Sequence, residues 1–428
     1  MSLHMTPQGD RTQIAIYGKR NAGKSSLINA ITGQPLAIVS DVKGTTTDPV
    51  SKAMEILPIG PCMLIDTPGL DDEGELGQKR IQKAMQVLNK TDIAIVVLDI
   101  AALSKEELES ERGLPFKECE VLAQIEERKI PAILVLNQTD KLTTESMQQI
   151  QHSIMQKNPS LPVIAVSAKN GTGIQELKDA MIQKAPDVDC ELHIIGDKVE
   201  AGDIVVLVVP VDSAAPKGRL IMPQQQVIRD LLDHQAVAVV TQVPELGSVL
   251  ERLKGQVKLV ITDSQAFKEV AQIVPKELYL TSFSILFARH KGNLKKLVEG
   301  LRYIDRLQDN SRVLIAEGCT HHRQCDDIGT VKIPRWLRQY TGKELVIESS
   351  SGHEFPEDLT SYDLVIHCGG CTLHEKEMKH RIALANRQQV PIVNYGIFIA
   401  YVNGILKRSI EIFPEIHRLI QGEEDESI

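Results

Sequence analysis

A glycine-rich run near the start of the chain has the residue types needed to bind phosphate groups. Gly18 to Ser25 matches the pattern G-x-x-x-x-G-K-S/T in full and directly follows an apolar strand pattern. Glycines let backbone N–H groups face phosphate oxygens, Lys24 can reach the β- and γ-phosphates, and Ser25 can bind Mg²⁺. The residues predicted to contact the nucleotide here are Gly18, Asn21, Ala22, Gly23, Lys24, Ser25 and Ser26.

Two later segments complete the phosphate side of this site. Asp66-Thr67-Pro68-Gly69 ends an apolar strand pattern. There, a carboxylate can hold the water shell of Mg²⁺ and a glycine N–H can contact the γ-phosphate. Thr46 lies in the polar segment before it, which suits a mobile switch. We therefore predict Mg²⁺ bound by Ser25, Thr46 and Asp66, and catalytic roles for Lys24, Thr46, Asp66 and Gly69.

The preference for a base follows from two further strand ends. The carboxylate of Asp140 can accept hydrogen bonds from both N1–H and N2–H of guanine, whereas adenine offers neither donor in that register. GTP is therefore favoured over ATP. Gln138 occupies a position that usually holds Lys, which predicts altered packing over the base and modest affinity. The residues predicted to surround the base are Asn137, Gln138, Asp140, Ser167, Ala168 and Lys169.

A second set of reactive side chains lies far along the chain. Cys319 and His321 follow one strand pattern, and His367, Cys368 and Cys371 follow another. Neighbouring parallel strands would bring them together, and thiolates suit iron–sulfur clusters or zinc. A structural zinc site, inert buried cysteines and a redox disulfide within the Cys-x-x-Cys pair remain alternatives.

The elements that must position these residues alternate between strands and helices. From Gln13 to about Ala185, β-branched runs alternate with amphipathic segments, which predicts a mostly parallel sheet with helices on both faces. This alternation of strand and helix patterns is absent from 186–203 and then resumes. We predict an α/β fold with a P-loop GTPase domain at 1–185 and two smaller α/β domains at 186–274 and 275–428, of which the last contains the cysteines and histidines described above.

The composition argues against several classes of protein. The chain has 428 residues, of which 42% are hydrophobic and 25% charged, as is typical of globular proteins. A net charge of −9 with only seven Phe, seven Tyr and one Trp argues against nucleic acid as a partner. We expect neither a membrane span nor a secretory signal, and a cytoplasmic location. Seven cysteines in such a chain indicate reduced thiols or metal ligands.

The first domain resembles the Era/TrmE-like class of GTPases in the motifs described above. Leu70 follows the Asp-Thr-Pro-Gly motif, and because an apolar side chain cannot orient the attacking water, slow hydrolysis is expected. In that class an asparagine at the position of Asn21 helps to hold K⁺ beside the phosphates. The resemblance thus implies a catalytic role for Asn21 and K⁺-stimulated hydrolysis. A ribosome- or tRNA-associated GTPase is an alternative function, against which the net charge counts.

The chain as a whole resembles the iron-iron (FeFe) hydrogenase maturation GTPases. The resemblance rests on the Cys-x-His…His-Cys-x-x-Cys pattern and on the segments Ala215–Leu220 and Thr281–Ser284. It implies a 4Fe-4S cluster held by three thiolates, with one histidine at most as a weak fourth ligand. The implied iron ligands are Cys319, Cys368 and Cys371, with His321 or His367.

The same resemblance implies a function and partners. The protein would hydrolyse GTP to GDP and serve as a scaffold that receives a diiron precursor from radical-SAM maturases and transfers it to apo FeFe-hydrogenase. The resemblance also implies a homodimer, with 186–274 as the dimerisation domain and 275–428 as the iron–sulfur cluster-binding domain. A zinc-stabilised, GTP-regulated interaction module without a cluster is the remaining alternative.

Overall fold

The chain forms two α/β units, as seen in a computed structural model. The structure describes residues 6–33, 49–71, 74–186, 193–210, 220–319, 327–352 and 354–421. The two compact units are Met1–Cys190 and Glu191–Ile428. Within the described ranges, none of the helices is long and apolar enough to cross a membrane. The predicted α/β fold class is confirmed.

The first unit is built on a six-stranded sheet covered by helices. Its strands are β1 (Thr12–Tyr17), β2 (Val50–Ile56), β3 (Gly60–Asp66), β4 (Ile93–Asp99), β5 (Ala132–Asn137) and β6 (Val163–Ala165). Its helices are α1 (Lys24–Thr32), α2 (Gly74–Val87), α3 (Lys105–Glu109), α4 (Phe116–Glu127), α5 (Thr144–Lys157) and α6 (Ile174–Lys184). The strand order is β2-β3-β1-β4-β5-β6, and β2 alone among them runs antiparallel to its neighbour.

Alternating side chains of the central strands bury apolar groups on both faces of this sheet. In β1, Ile14 and Ile16 join one apolar layer, whereas Ala15 and Tyr17 join the layer on the opposite face. A strand buried on both faces needs an unbroken apolar sequence, which is the pattern that parallel sheets show. The carboxyl ends of the parallel strands therefore share one edge, where the loops carry the predicted motifs.

The second unit contains two parallel four-stranded sheets. The first has the order β10-β9-β7-β8, from β7 (Ile204–Val208), β8 (Val237–Thr241), β9 (Val257–Thr262) and β10 (Tyr279–Ser282), with helices α7 (Met222–Asp233), α8 (Leu246–Arg252), α9 (Phe267–Ile273) and α10 (Phe283–Lys291). Strand β10 pairs with β9. This sheet thus extends past the domain boundary predicted after residue 274.

The other sheet of the second unit has the order β12-β11-β13-β14. Its strands are β11 (Arg312–Ala316), β12 (Val346–Ser350), β13 (Leu364–His367) and β14 (Ile392–Asn394). Its helices are α11 (Leu294–Glu299), α12 (Ile333–Thr341), α13 (Glu375–Arg387), α14 (Tyr395–Val402), α15 (Leu406–Ser409) and α16 (Pro414–Gln421). One continuous apolar core includes side chains of both sheets, so the two sheets pack as a single body.

Helix α10 connects the two sheets of the second unit. It packs against α7 and also against α13 and α14. Near its start, Ser284 Oγ donates to Asn394 Oδ1 at 3.0 Å. Near its end, Arg289 forms two hydrogen bonds with the carboxylate of Asp197, at 2.8 and 2.6 Å. Side chains of α10 are thus hydrogen-bonded both to the end of β14 and to the segment before β7.

Two neighbouring residues of α5 test the packing of the first unit. Ile154 is fully buried, whereas Met155 is 47% exposed. We expect Ile154→Ala to lower the free energy of unfolding by about 2–5 kcal/mol, because it leaves a cavity. Met155→Ala should change it by about 0.5 kcal/mol or less. Urea denaturation measures both, and equal effects of the two substitutions would contradict this packing.

Candidate functional site

The predicted phosphate-binding loop lies between β1 and α1. Gly23 precedes the helix with φ 89°, in the left-handed region that favours glycine. A Cβ on Gly18 would clash with the backbone oxygen of Val97, and one on Gly23 would clash with the side chain of Asn137. Both glycines are therefore required by the close packing of this loop against β4 and the end of β5.

The phosphate side of the site brings Lys24, Ser25 and Asp66 together. Lys24 Nζ donates to the backbone oxygens of Gly18 and Lys19, at 2.9 Å each. Ser25 Oγ donates to Asp66 Oδ2 at 2.5 Å. Burial raises the pKa of Asp66, and its Oδ1 is buried with no hydrogen-bond partner among the described residues. A hydroxyl beside a carboxylate with an unused oxygen is a donor set that suits Mg²⁺.

The Asp-Thr-Pro-Gly segment packs against the phosphate-binding loop. A Cβ on Gly69 would lie 2.6 Å from Arg20 Cγ, and Leu70 N donates to Gly18 O at 3.3 Å. Leu70 is itself buried. The predicted catalytic residue Thr46 lies outside the described residues, and Ser26 lies in the first turn of α1.

Asn137 links the phosphate-binding loop to the base-binding segments. Its Nδ2 donates to Ala22 O at 2.9 Å, and its Oδ1 accepts from Ala168 N at 3.1 Å. Gln138 Nε2 donates to Asn21 O at 2.8 Å. Sequence reasoning missed this last bond, which fastens the residue in the usual lysine position to the loop. Its partners are too far apart in sequence for any local pattern to reveal it.

Asp140 is held in place to accept hydrogen bonds. Ser167 Oγ donates to Asp140 Oδ1 at 2.7 Å, and this bond keeps the pKa of Asp140 below its usual value. The carboxylate is therefore ionised at neutral pH, and it is exposed. Lys169 lies two residues after Ser167, and its positive charge also lowers the pKa of Asp140. The structure thus brings the predicted guanine-binding residues to one end of the sheet.

The three predicted iron-binding cysteines lie on two adjacent loops of the second unit. Strand β11 pairs with β13, with Ala316 opposite His367, so the loops that follow them start side by side. Gly318 N donates to Cys368 Sγ at 3.0 Å, and Thr372 Oγ1 donates to Gly318 O at 3.0 Å. The loop that leads to Cys319 is thus hydrogen-bonded to the loop that carries the other two cysteines.

Burial raises the pKa of all three thiols, and neighbouring thiols add to this effect at Cys319 and Cys371. Burial and the neighbouring thiols raise the pKa of Cys319 to about 12, and burial and Cys368 raise that of Cys371 to about 11. Burial also raises the pKa of Cys368. Cys368 and Cys371 are not joined in a disulfide. A metal that binds here must displace the thiol protons, as is usual for thiolate sites.

His367 is fully buried and makes two protein contacts through its ring. Nε2 lies 3.1 Å from the guanidinium of Arg381, which can only donate, so Nε2 accepts. Nδ1 then carries the proton and donates to Cys368 O at 2.8 Å. Burial and the charge of Arg381 lower the pKa of His367 to about 3, so the ring is neutral. The other predicted histidine, His321, lies outside the described residues.

Two buried cations beside the cysteine loop were not found by sequence reasoning. Lys291, 1% exposed, donates to the backbone oxygens of Cys371 and Leu373 at 3.0 and 2.9 Å. Arg381, also 1% exposed, forms a salt bridge with Glu377. The local sequence does not indicate that either residue is buried, because Lys and Arg side chains usually lie at the surface.

Comparison with known protein families gives three matches. A model described as 50S ribosome-binding GTPase matches residues 13–138. The hydrogen maturase F dimerization domain matches residues 194–292, and the hydrogen maturase F tetramerization domain matches residues 295–412. The chain belongs to the hydrogen maturase F (HydF) family. The resemblance to hydrogenase maturation GTPases found in the sequence is thereby confirmed.

Curated relatives resemble this HydF-family chain over less than half of its length. GTPase Der of Kosmotoga olearia is 30% identical over 191 residues, which cover 43% of this chain and 41% of Der. The tRNA modification GTPase MnmE of Alkaliphilus oremlandii is 32% identical over 169 residues, which cover 39% of this chain and 33% of MnmE. The chain therefore spans less than half the length of these relatives. The first unit is a GTPase domain.

Asp140→Asn tests the base specificity. The substitution replaces a double acceptor by an amide, so GTP should bind about 10- to 100-fold more weakly, as expected for loss of charge-assisted hydrogen bonds. Xanthosine triphosphate, which presents an oxygen to the new amide, should gain affinity. Competition against a fluorescent guanine nucleotide measures both. Asp179→Asn, which changes an exposed carboxylate on α6, is the matched control. Unchanged selectivity in D140N would contradict the assignment.

Proposed function

We propose that this protein hydrolyses GTP and is the scaffold on which the diiron part of the FeFe-hydrogenase active site is completed. The observation that carries the proposal is the pair of hydrogen-bonded loops that present Cys319, Cys368 and Cys371 in a chain of the HydF family. Three thiolates are the donor set of an iron–sulfur cluster with one iron open. A bound 4Fe-4S cluster would supply an exchangeable coordination position.

The surroundings of the cysteines suit an anionic group. Gly318 N and Gly370 N both point at Cys368 Sγ, at 3.0 and 3.4 Å. Hydrogen bonds to sulfur stabilise thiolate and are one of the means by which proteins adjust cluster potentials. Lys291, at the end of α10, adds a buried positive charge beside this loop and favours the thiolate form of Cys371. These contacts offset part of the effect of burial, which raises the pKa of all three thiols.

His367 is better suited to positioning the cysteine loop than to binding iron. Both of its ring nitrogens are engaged, with Arg381 and with Cys368 O. Binding iron through Nε2 would require breaking the contact with Nη1 of the buried Arg381 guanidinium, which would lose this acceptor and keep, among the described residues, only Glu377 and Gly352 O. We therefore propose that the fourth iron position is left to His321 or to an exchangeable ligand. A weak ligand there would let the diiron precursor bind as cargo and later leave.

The GTPase domain would supply a switch. Ser25, Thr46 and Asp66 would bind Mg²⁺, and Asn21 would help to hold K⁺ beside the phosphates. Leu70 is buried and apolar, so it cannot orient the attacking water, which supports slow hydrolysis that depends on the ion. Loss of the γ-phosphate would release the segments around Thr46 and Gly69. We propose that this release changes the docking of radical-SAM maturases or of apo-hydrogenase.

The edge strand β8 supports a homodimer. It is paired with β7 alone within the described sheet, so one row of its backbone groups lacks a strand partner there. Val237 and Val240 on this strand are 46% and 48% exposed, and Leu232 on the adjacent α7 is 58% exposed. An edge strand with exposed apolar side chains can pair with the same strand of a second copy, as in other symmetric dimers.

Cysteine variants test the cluster site. After anaerobic reconstitution with iron and sulfide, the parent should bind about four irons, as a 4Fe-4S cluster requires, and give a reduced-cluster EPR signal. Cys319→Ser, Cys368→Ser and Cys371→Ser should each lose most of both, because each removes one of the three thiolates. Cys119→Ser, at a cysteine of α4 in the GTPase domain, is the matched control.

The same variants distinguish the scaffold from a zinc module. Parent protein loaded with the diiron precursor should activate apo-hydrogenase, measured as hydrogen evolution, and the three variants should not. The proposal would be contradicted if the parent, purified without oxygen, contained zinc in place of iron and sulfide and the variants gave unchanged spectra.

The identity of the monovalent cation tests the role of Asn21. GTP turnover should be faster in K⁺ than in Na⁺ at equal ionic strength. Asn21 has φ 58°, so Asn21→Gly removes its side chain without backbone strain and keeps the carbonyl that accepts from Gln138. The variant should bind GTP but lose the difference between the two ions. Equal turnover of the parent in both buffers would refute the K⁺ site.

A charged substitution tests the dimer contact. Val240→Lys places a charge on each side of the proposed β8 pairing, so the dimer should dissociate at micromolar concentration. Val346→Lys is the matched control, because Val346 is 43% exposed on β12, the edge strand of the other sheet. Sedimentation velocity measures both. A V240K protein that stays dimeric would place the dimer contact elsewhere.

A further inference from the structure

A second group of metal-binding side chains lies outside the GTPase motifs and the cysteine loops. Asp230 lies on α7, His234 caps the end of that helix, and His193 lies in the segment before β7. One ligand atom from each of the three lies within 4.8 Å of the other two. All three side chains are half-buried, so they are ordered by packing and open to ions from solvent.

The carboxylate of this group is oriented by the backbone. Asp230 Oδ2 accepts hydrogen bonds from Ile195 N and Gly196 N, at 2.7 Å each. This leaves Oδ1 on the side of His234, 3.7 Å from its Nδ1. Carboxylates that bind metals are commonly held in this way, with one oxygen bonded to the protein and the other available to the ion.

The two imidazoles lie against each other, and the ring of His234 has one nitrogen available for an ion. His234 Nδ1 lies 2.7 Å from Asp230 O, and because a carbonyl only accepts, Nδ1 carries the proton and Nε2 keeps its lone pair. The ring of His193 meets that of His234 edge to face, with centroids 4.7 Å apart. A Cβ on Gly196 would clash with the His234 ring, so glycine is needed for this close approach.

We propose that His193, Asp230 and His234 bind a divalent transition-metal ion such as Zn²⁺. Two imidazole nitrogens and one carboxylate oxygen form a ligand set that Zn²⁺ accepts, with a fourth position left for water. Because the ligand atoms lie up to 4.8 Å apart, binding requires the side chains to close around the ion by rotation, and His193 lies in the segment before β7 rather than in a helix or strand. The ion would fasten the start of the second unit to α7. This site is independent of the proposed cluster.

Cobalt titration of the full-length, untagged chain tests the site. Cys319, Cys368 and Cys371 are all replaced by Ser, so that the thiols of the proposed cluster site cannot compete for the ion. One equivalent of Co²⁺ should bind, with visible ligand-field bands but without a thiolate charge-transfer band in the near ultraviolet, and Zn²⁺ should displace it. His193→Gln and His234→Gln should weaken binding by at least about tenfold, since losing even an outer-shell partner costs that much.

The controls separate metal binding from folding. Asp230→Asn keeps an oxygen that can accept the two backbone N–H bonds but removes the charge, so it should fold normally and bind Co²⁺ more weakly. His152→Gln, at an exposed histidine of α5, should bind like the parent. Failure of the parent to bind one equivalent, or equal binding by a folded D230N variant, would overturn the proposal. Because the three cysteines of the proposed cluster site are replaced, neither result bears on the cluster.

Discussion

The cysteine site depends on the parallel pairing of β11 with β13. Cys319 and Cys368 are far apart in sequence, and no local motif joins them. The register that sets Ala316 opposite His367 places the two following loops side by side. A slip of one residue would turn every side chain of β13 to the opposite face of the sheet, so the apolar core on both faces fixes the register. The thiolate set is therefore a product of sheet packing more than of the loops themselves.

Much of the fold could be predicted where strands are buried on both faces. Strands β4, β5, β9 and β11 are runs of mostly apolar residues in the sequence, as strands of a parallel sheet covered on both faces must be, so the sequence indicates them. Two strands are not indicated in this way. Strand β2 is a largely exposed edge strand in which polar and apolar residues mix, and β10 is only four residues long. Neither leaves a strong pattern in the sequence.

The residues of the candidate site also fall into two groups, those that the sequence could predict and those that it could not. Residues that act through local motifs, such as Lys24 and Asp140, could be predicted because their chemistry requires a particular residue at a particular spacing. The residues that hold these groups in position could not be predicted. Lys291 and Arg381 are charged residues whose burial follows from elements distant in the chain, and the contact of His367 Nε2 depends on Arg381 of α13. Sequence patterns report what a residue can do, whereas its partners come from tertiary packing.

Helix α10 has a consequence for how the second unit can be divided. Its residues fall within the match to the dimerization domain, yet Lys291 at its end holds two carbonyls of the cysteine loop, which falls within the match to the tetramerization domain. A fragment excised from residue 295 onward would leave those carbonyls without their ammonium partner. Conversely, a tilt of α10 on subunit association would pull directly on the backbone at Cys371. One ammonium group thus links the helix of the first sheet to the backbone of the cysteine loop.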